Sequence, residues 1–196
     1  MKKNPLAGCK EIRVHRRPPT FLQKRDIPRF LASIKDIDLR RLVTAYISTG
    51  RRRSELLNLK WKDVNIGDRR YTVKTKGGIW QTYYINKLFL NVLKSVRIGS
   101  GSGHKDKRLF KSWHPDTVSH KTKKALVDFG FPGHHLHSLR HTFASLKAAE
   151  GRSLKEIQDL LGHQEIKATL LYSHLTDDHL SEISEIEIGP VELNKR

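Results

Sequence analysis

The chain has 196 residues, enough for one domain with its own core, and its 37% hydrophobic and 8% aromatic content suits an ordinary soluble fold. Thirty-eight Lys and Arg against 20 Asp and Glu leave a net charge of +18, a field that attracts polyanions. Nucleic acid is expected ahead of an acidic membrane, since no long amphipathic basic helix or lipidation motif is present, and a merely solvated basic surface is the bland alternative. Cys9 is the one cysteine, which excludes an internal disulfide framework and a cysteine zinc finger. No secretory apolar stretch and no run of about 18 apolar residues occurs, so a cytoplasmic protein with no membrane partner is expected.

Residues 1–20 are basic, end at Pro18 and Pro19, and read as an extended linker. Ile27, Phe30 and Leu31, then Leu39, Leu42, Val43 and Tyr46, recur at helical spacing and predict helices over 26–34 and 38–49. After Gly50, residues 52–59 read as a third helix that turns Leu56, Leu57 and Leu59 inward and sets Arg52 and Glu55 on another side. Val64, Ile66, Tyr71, Val73, Trp80, Thr82 and Tyr84 are β-favouring, and Lys76-Gly77-Gly78 marks a tight turn, which together predict a small antiparallel sheet. Helical spacing returns over 87–96. GSGSGHKDK then reads as a polar loop, and 115–129 as a helix carrying Lys121, Lys123 and Lys124. From His137 onward three helices separated by Gly151 and Gly162 are expected, the middle one started by a Ser153–Glu156 capping box. Residues 177–186 can form one more amphipathic helix in a C-terminal tail.

The chemistry concentrates in STGRRRSELLNLKW (48–61), LHSLRHTFAS (136–145) and LLGHQEIKATLLYSH (160–174), with the basic turn TKGG (75–78) after the first. Together they supply a phenol, two arginines, a lysine and two histidines. Cations to hold a phosphate, a proton donor for the leaving oxygen and an attacking hydroxyl suffice to open a phosphodiester without a metal. These boxes resemble, in order and separation, the signatures of the tyrosine recombinase (phage integrase) family over residues 20–174. The resemblance implies the family's catalytic fold, mainly α with a small antiparallel sheet (α+β), as a catalytic domain over 21–176. It also implies site-specific cleavage and rejoining of double-stranded DNA through a 3′-phosphotyrosyl bond, without metal, cofactor or ATP. Arg52 matches the first arginine of Thr-Gly-x-Arg-x-x-Glu, Lys76 the lysine of the hairpin, His137 and Arg140 the His-x-x-Arg pair, His163 the Leu-Gly-His position and Tyr172 the nucleophile.

Two arginines can grip non-bridging oxygens bidentately, and lysine would replace neither. A phenol near its ordinary pKa of about 10 is seldom ionised at neutral pH, so attack needs a proton acceptor or a strongly cationic site. His137 is placed as that acceptor or as a shuttle, His163 as a donor to the phosphate, and Lys76 as the acid for the 5′ oxygen. Glu55, one turn from Arg52, is read as an ionised partner that orients the guanidinium. Arg51 stands where the family commonly has an apolar residue, either as an extra phosphate contact or as an exposed side chain. Arg53 and Lys121, Lys123 and Lys124 are further candidate DNA contacts, the lysines balanced against a plain solvated face.

His137 and His141 lie one helical turn apart like a zinc pair, but no cysteine or HExxH glutamate accompanies them and Arg140 would sit beside the cation, so no metal is expected. His141 is read as packing or capping within the site, and His174 as a bystander. Full-length family members carry a further helical DNA-binding domain for which 196 residues leave no room. Weak, salt-sensitive DNA binding is the consequence. Further recombinase subunits are expected on DNA, as a tetramer, and a monomer when free; the tail either docks on a neighbour or packs on its own domain. The rival readings are a type IB topoisomerase and a catalytically silent DNA-binding module.

Overall fold

Leu39, Leu42, Val43 and Tyr46 form one buried stripe of α2 (Ile37–Thr49), the helix around which the rest is arranged. The structure, a computed structural model, describes residues 19–99, 106–110, 113–163 and 165–173. Asp36 starts α2 as its N-cap, its carboxylate accepting from the N–H groups of Asp38 and Leu39, both at 3.1 Å, an arrangement typically worth about 1 kcal/mol. Around α2 pack α1 (Ile27–Ser33), α3 (Arg53–Leu57), α4 (Lys87–Gly99), α5 (Pro115–Asp128) and α6 (Leu136–Ala149). α7 (Leu154–Leu161) packs on α6, and the Ser153–Glu156 capping box starts it, with Ser153 N–H donating to the Glu156 carboxylate at 2.9 Å.

The sheet is antiparallel in the order β1 (Val64–Asn65), β2 (Arg70–Lys74), β3 (Trp80–Tyr84), with Tyr71 opposite Tyr83 and Thr72 opposite Thr82. Tyr71, Val73 and Tyr83 turn into the core, while Trp80 and Tyr84 remain exposed. The fold is thus mainly helical with a small three-stranded sheet, as the sequence predicts.

Two expected elements are corrected. The helix read over 52–59 stops at Leu57, because the Leu59 carbonyl accepts instead from the Leu109 N–H at 2.8 Å in a short pairing with the 106–110 segment. The helix expected after Gly162 is two 3-10 turns among the described residues, Ile166–Ala168 and Leu170–Tyr172, held by bonds such as Thr169 N–H to Ile166 O at 2.7 Å and Tyr172 N–H to Thr169 O at 3.0 Å. The 1–18 part of the linker, the 177–186 helix and His174 lie outside the described residues.

Gly50 ends α2 in the left-handed region at φ 64°, and a Cβ there would run into the Phe143 ring and the Leu161 side chain. Gly50→Ala should therefore lose more than the 1–2 kcal/mol of left-handed strain alone, read by chemical denaturation. Gly133→Ala, with open space at its Cβ, is the control expected to unfold near the wild-type midpoint.

Candidate active site

Two helices end on left-handed glycines that face one buried arginine: α2 at Gly50 and α7 at Gly162, φ 64° and 67°. Arg140, on α6 and 3% exposed, spans them, donating through Nη1 to Gly50 O at 2.6 Å and through Nη2 to Leu161 O at 2.9 Å. Arg52 Nη1 reaches Gly162 O at 3.4 Å, and Arg51 Nη2 donates to Leu160 O. Three guanidiniums thus converge on three successive carbonyls at the C-terminus of α7, the negative end of its dipole. Glu55 braces Arg52 twice, its buried carboxylate accepting from the Arg52 backbone N–H at 2.9 Å and from Nη1 at 3.1 Å.

Arg51 corrects both sequence alternatives. It is 1% exposed, neither a surface side chain nor a free phosphate ligand, and its guanidinium lies 3.5 Å from the centre of the Tyr83 ring while Nε donates to Thr49 O at 3.2 Å. The stack and the carbonyls replace part of the water that an exposed arginine would have, while the buried Nη1 has no hydrogen-bond partner among the described residues.

His163 follows the Gly162 cap directly and sets its Nδ1 2.8 Å from the Thr169 hydroxyl. Tyr172 packs its ring among Phe143, Ala144, Ile157 and Leu161 and places its phenol oxygen 2.5 Å from Nδ1 of His141. His137 lies behind His141, the two rings edge to face with centroids 4.8 Å apart, and His135 stacks on His137 at 6.5 Å. The residue against the phenol is therefore His141 rather than His137. Its signal in the sequence is the one-turn spacing from His137, which there suggests a metal pair or a residue packing within the site and not a partner of the phenol.

Burial and the guanidiniums set the protonation states together. Burial, then Arg51 and Arg52, push Arg140 down to about 9, which leaves it a cation at neutral pH. Burial with Arg140 and Arg52 holds His163 at about 4; burial with the neighbouring histidines and Arg140 does the same to His141. His137 is lowered by burial, Arg140, His135 and Arg52. Tyr172 moves the other way, to about 12, because burial outweighs the pull of Arg140. The imidazoles are neutral and able to accept protons, and the phenol keeps its proton.

A cleft of about 520 Å³ opens beside this cluster, lined by Arg53, Lys123, His135, His137 and Arg140 among others. A groove of about 580 Å³ between the sheet and α6–α7 is lined by Ser48, Tyr83, Phe143 and Asp159 and holds none of the clustered histidines, Arg140 or Tyr172.

Lys76 is not brought into the cluster. It is exposed on the β2–β3 turn, with no hydrogen bond or ion pair to any described residue. Of the candidate DNA contacts, Arg53 donates to Ser119 Oγ at 2.7 Å and to Pro115 O at 3.1 Å. Lys121 pairs with Asp36 at 2.9 Å, Lys123 ties the carbonyls of Pro132 and His134, and Lys124 pairs with Asp128 at 3.1 Å. These lysines are engaged within the fold rather than forming one free row.

The Phage integrase family profile matches residues 20–179. Tyrosine recombinase XerC of Xanthomonas campestris pv. campestris (strain B100) is 29% identical over 190 residues, 92% of this chain and 59% of that protein. The catalytic domain of bacteriophage HP1 integrase is 26% identical with a TM-score of 0.63, over 86% of this chain and 95% of that one. XerA recombinase, 24% identical, shares the fold at a TM-score of 0.71 over 90% of this chain and 68% of its own. The chain spans about three fifths of the length of the XerC relative.

The depressed histidines fix the sign of an acid effect. His141 and His163 sit at about 4 in the folded chain against 6.5 when free, so between those values the unfolded chain binds protons that the folded one does not. Stability from this source is complete above pH 6.5 or so and is lost as pH falls toward about 4. Thermal melts across that window should show the decline, and a His141→Asn/His163→Asn double variant should flatten it.

Proposed function

Because the chain belongs to the phage integrase family, we propose that it cleaves and rejoins double-stranded DNA at specific sites, with Tyr172 as the nucleophile. The observation that carries this is the phenol of Tyr172 bonded to His141, one residue from Arg140 and within reach of its charge, while Arg140 and Arg52 bond to adjacent carbonyls. Both guanidiniums are thereby held in position before a substrate arrives.

In the reaction proposed here Arg52 and Arg140 turn their remaining N–H donors to the non-bridging oxygens, where charge builds as Tyr172 Oη approaches phosphorus. His163 supplies a further hydrogen bond. His137 serves as proton acceptor or shuttle, and Lys76, carried in on the hairpin turn, protonates the departing 5′ oxygen. The 3′-phosphotyrosyl product is a diester like the bond it replaces, so a 5′ hydroxyl reverses the step with no ATP. DNA and further subunits of the same chain are the partners, and the setting is the cytoplasm, with DNA. No helix among the described residues is long and apolar enough to cross a membrane.

A duplex nicked so that the cleaved 5′ fragment diffuses away tests this directly. Wild type should accumulate a covalent protein–DNA adduct; Tyr172→Phe should form none while binding the duplex about as well. Arg52→Ala and Arg140→Ala should each slow adduct formation about 10²–10³-fold, the usual weight of one oxyanion-type contact. Single-turnover rates unchanged by either substitution would remove the assignment. Supercoiled plasmid separates the rivals: exchange between two sites marks a recombinase, and relaxation without exchange marks a topoisomerase. Affinity measured across a salt series should fall steeply.

A further inference from the structure

We propose that His141 takes the phenolic proton of Tyr172 directly. This rests on the cleavage reading above and moves the role of proton acceptor from His137, which has no hydrogen bond to the phenol, to His141. The phenol oxygen lies 2.5 Å from His141 Nδ1, a hydrogen bond at the short end of the range, and among the described residues it has no other hydrogen-bond partner. His137 meets the His141 ring edge to face at 4.8 Å, and His135 and His137 line the open cleft. The groups facing His141 are therefore His137, His135 and Arg140 from its own helix and Tyr172 from the 3-10 turn. None is a carboxylate. Cations and burial around it keep the imidazole neutral, with a lone pair for the phenol when its proton resides on Nε2.

The step balances. As Oη bonds to phosphorus, its O–H bond breaks and the proton passes to His141 Nδ1. The electron pair of the P–O5′ bond leaves on the 5′ oxygen, which takes its proton from Lys76. The imidazolium is formed while the phosphate's charge is present to offset it, and its proton returns to the Tyr172 oxygen when the 5′ hydroxyl attacks.

His141→Asn keeps a hydrogen-bond acceptor near the place of Nδ1 but cannot hold a proton. On the nicked duplex it should slow adduct formation about 10²–10⁴-fold near neutral pH, the usual weight of general-base catalysis, with melting temperature and DNA affinity retained. Its rate should climb about tenfold per pH unit above neutrality, since solvent must then ionise a phenol held at about 12. A duplex with sulfur at the scissile 5′ bridging position needs no acid for its leaving group. It should restore Lys76→Ala and leave His141→Asn slow. If asparagine unfolds the domain, His141→Gln is read instead. A wild-type rate for the folded variant, a defect independent of pH, or rescue by sulfur would each overturn the assignment of His141. Absence of any Tyr172-dependent adduct with the wild type would overturn the cleavage reading and this one with it.

Discussion

The gathering of Arg51, Arg52 and Arg140 on the successive carbonyls of Leu160, Leu161 and Gly162 is the interaction on which the site depends. Three like charges this close repel by a few kcal/mol per pair at the effective dielectric of a protein interior. Near them the one buried carboxylate among the described residues is that of Glu55, and it pairs with Arg52. What holds the remaining charge is peptide dipoles: the end of α7, the Gly50 carbonyl at the end of α2, and the Tyr83 ring under Arg51. Arg140 is nonetheless held below the usual arginine range, by burial first and then by Arg51 and Arg52. An entering phosphate would supply the missing negative charge, so part of its binding energy would come from relief of repulsion built in during folding.

The same field governs the histidines. Burial first, and the neighbouring guanidiniums and imidazoles after it, keep His137, His141 and His163 neutral in the free protein, so imidazole is present as a base although the surroundings are strongly positive. The arginines do not ionise Tyr172 by themselves, because the cost of burying a phenolate exceeds the attraction of Arg140. In the mechanism proposed here, electrostatics alone would therefore leave Tyr172 inactive, and a proton would have to be taken from it. A phosphate that neutralised the guanidiniums would make each imidazole a stronger base. Proton abstraction would then be easiest with the substrate in place, and the phenol guarded without it.

The parts of this arrangement legible in the sequence are those fixed by local spacing. Arg52 and Glu55 meet because three residues apart on a helix start is contact distance, Ser153 and Glu156 for the same reason, and the α2 stripe follows from its period. The unreadable parts depend on what arrives from far along the chain. Arg51, in a run of three arginines, reads as either a phosphate contact or an exposed side chain, yet its partners Tyr83 and Leu160 come from 32 and 109 positions away. Lys121 found Asp36 across 85 positions, which no pattern along α5 could reveal. The turns before Tyr172 escaped because three residues of 3-10 helix and three of α-helix present almost the same apolar spacing. Thr169, bonded to His163, is what holds those turns against the α7 cap.

The separation of Lys76 from the cluster has a physical rationale within the mechanism proposed here. Arginines that hold a phosphate gain by being fixed in advance, since ordering them during the reaction would cost entropy. A lysine acid gains nothing from that position. A fourth cation beside Arg51, Arg52 and Arg140 would add to a repulsion the fold already strains to hold, and it would have no negative charge nearby to work against. On the exposed β2–β3 turn Lys76 avoids the cluster while the site is empty. In the proposed reaction it would join when bound DNA brings a phosphate's charge between them. On this view the buried guanidiniums and the exposed ammonium are separated because the substrate itself is the counter-ion that lets them meet.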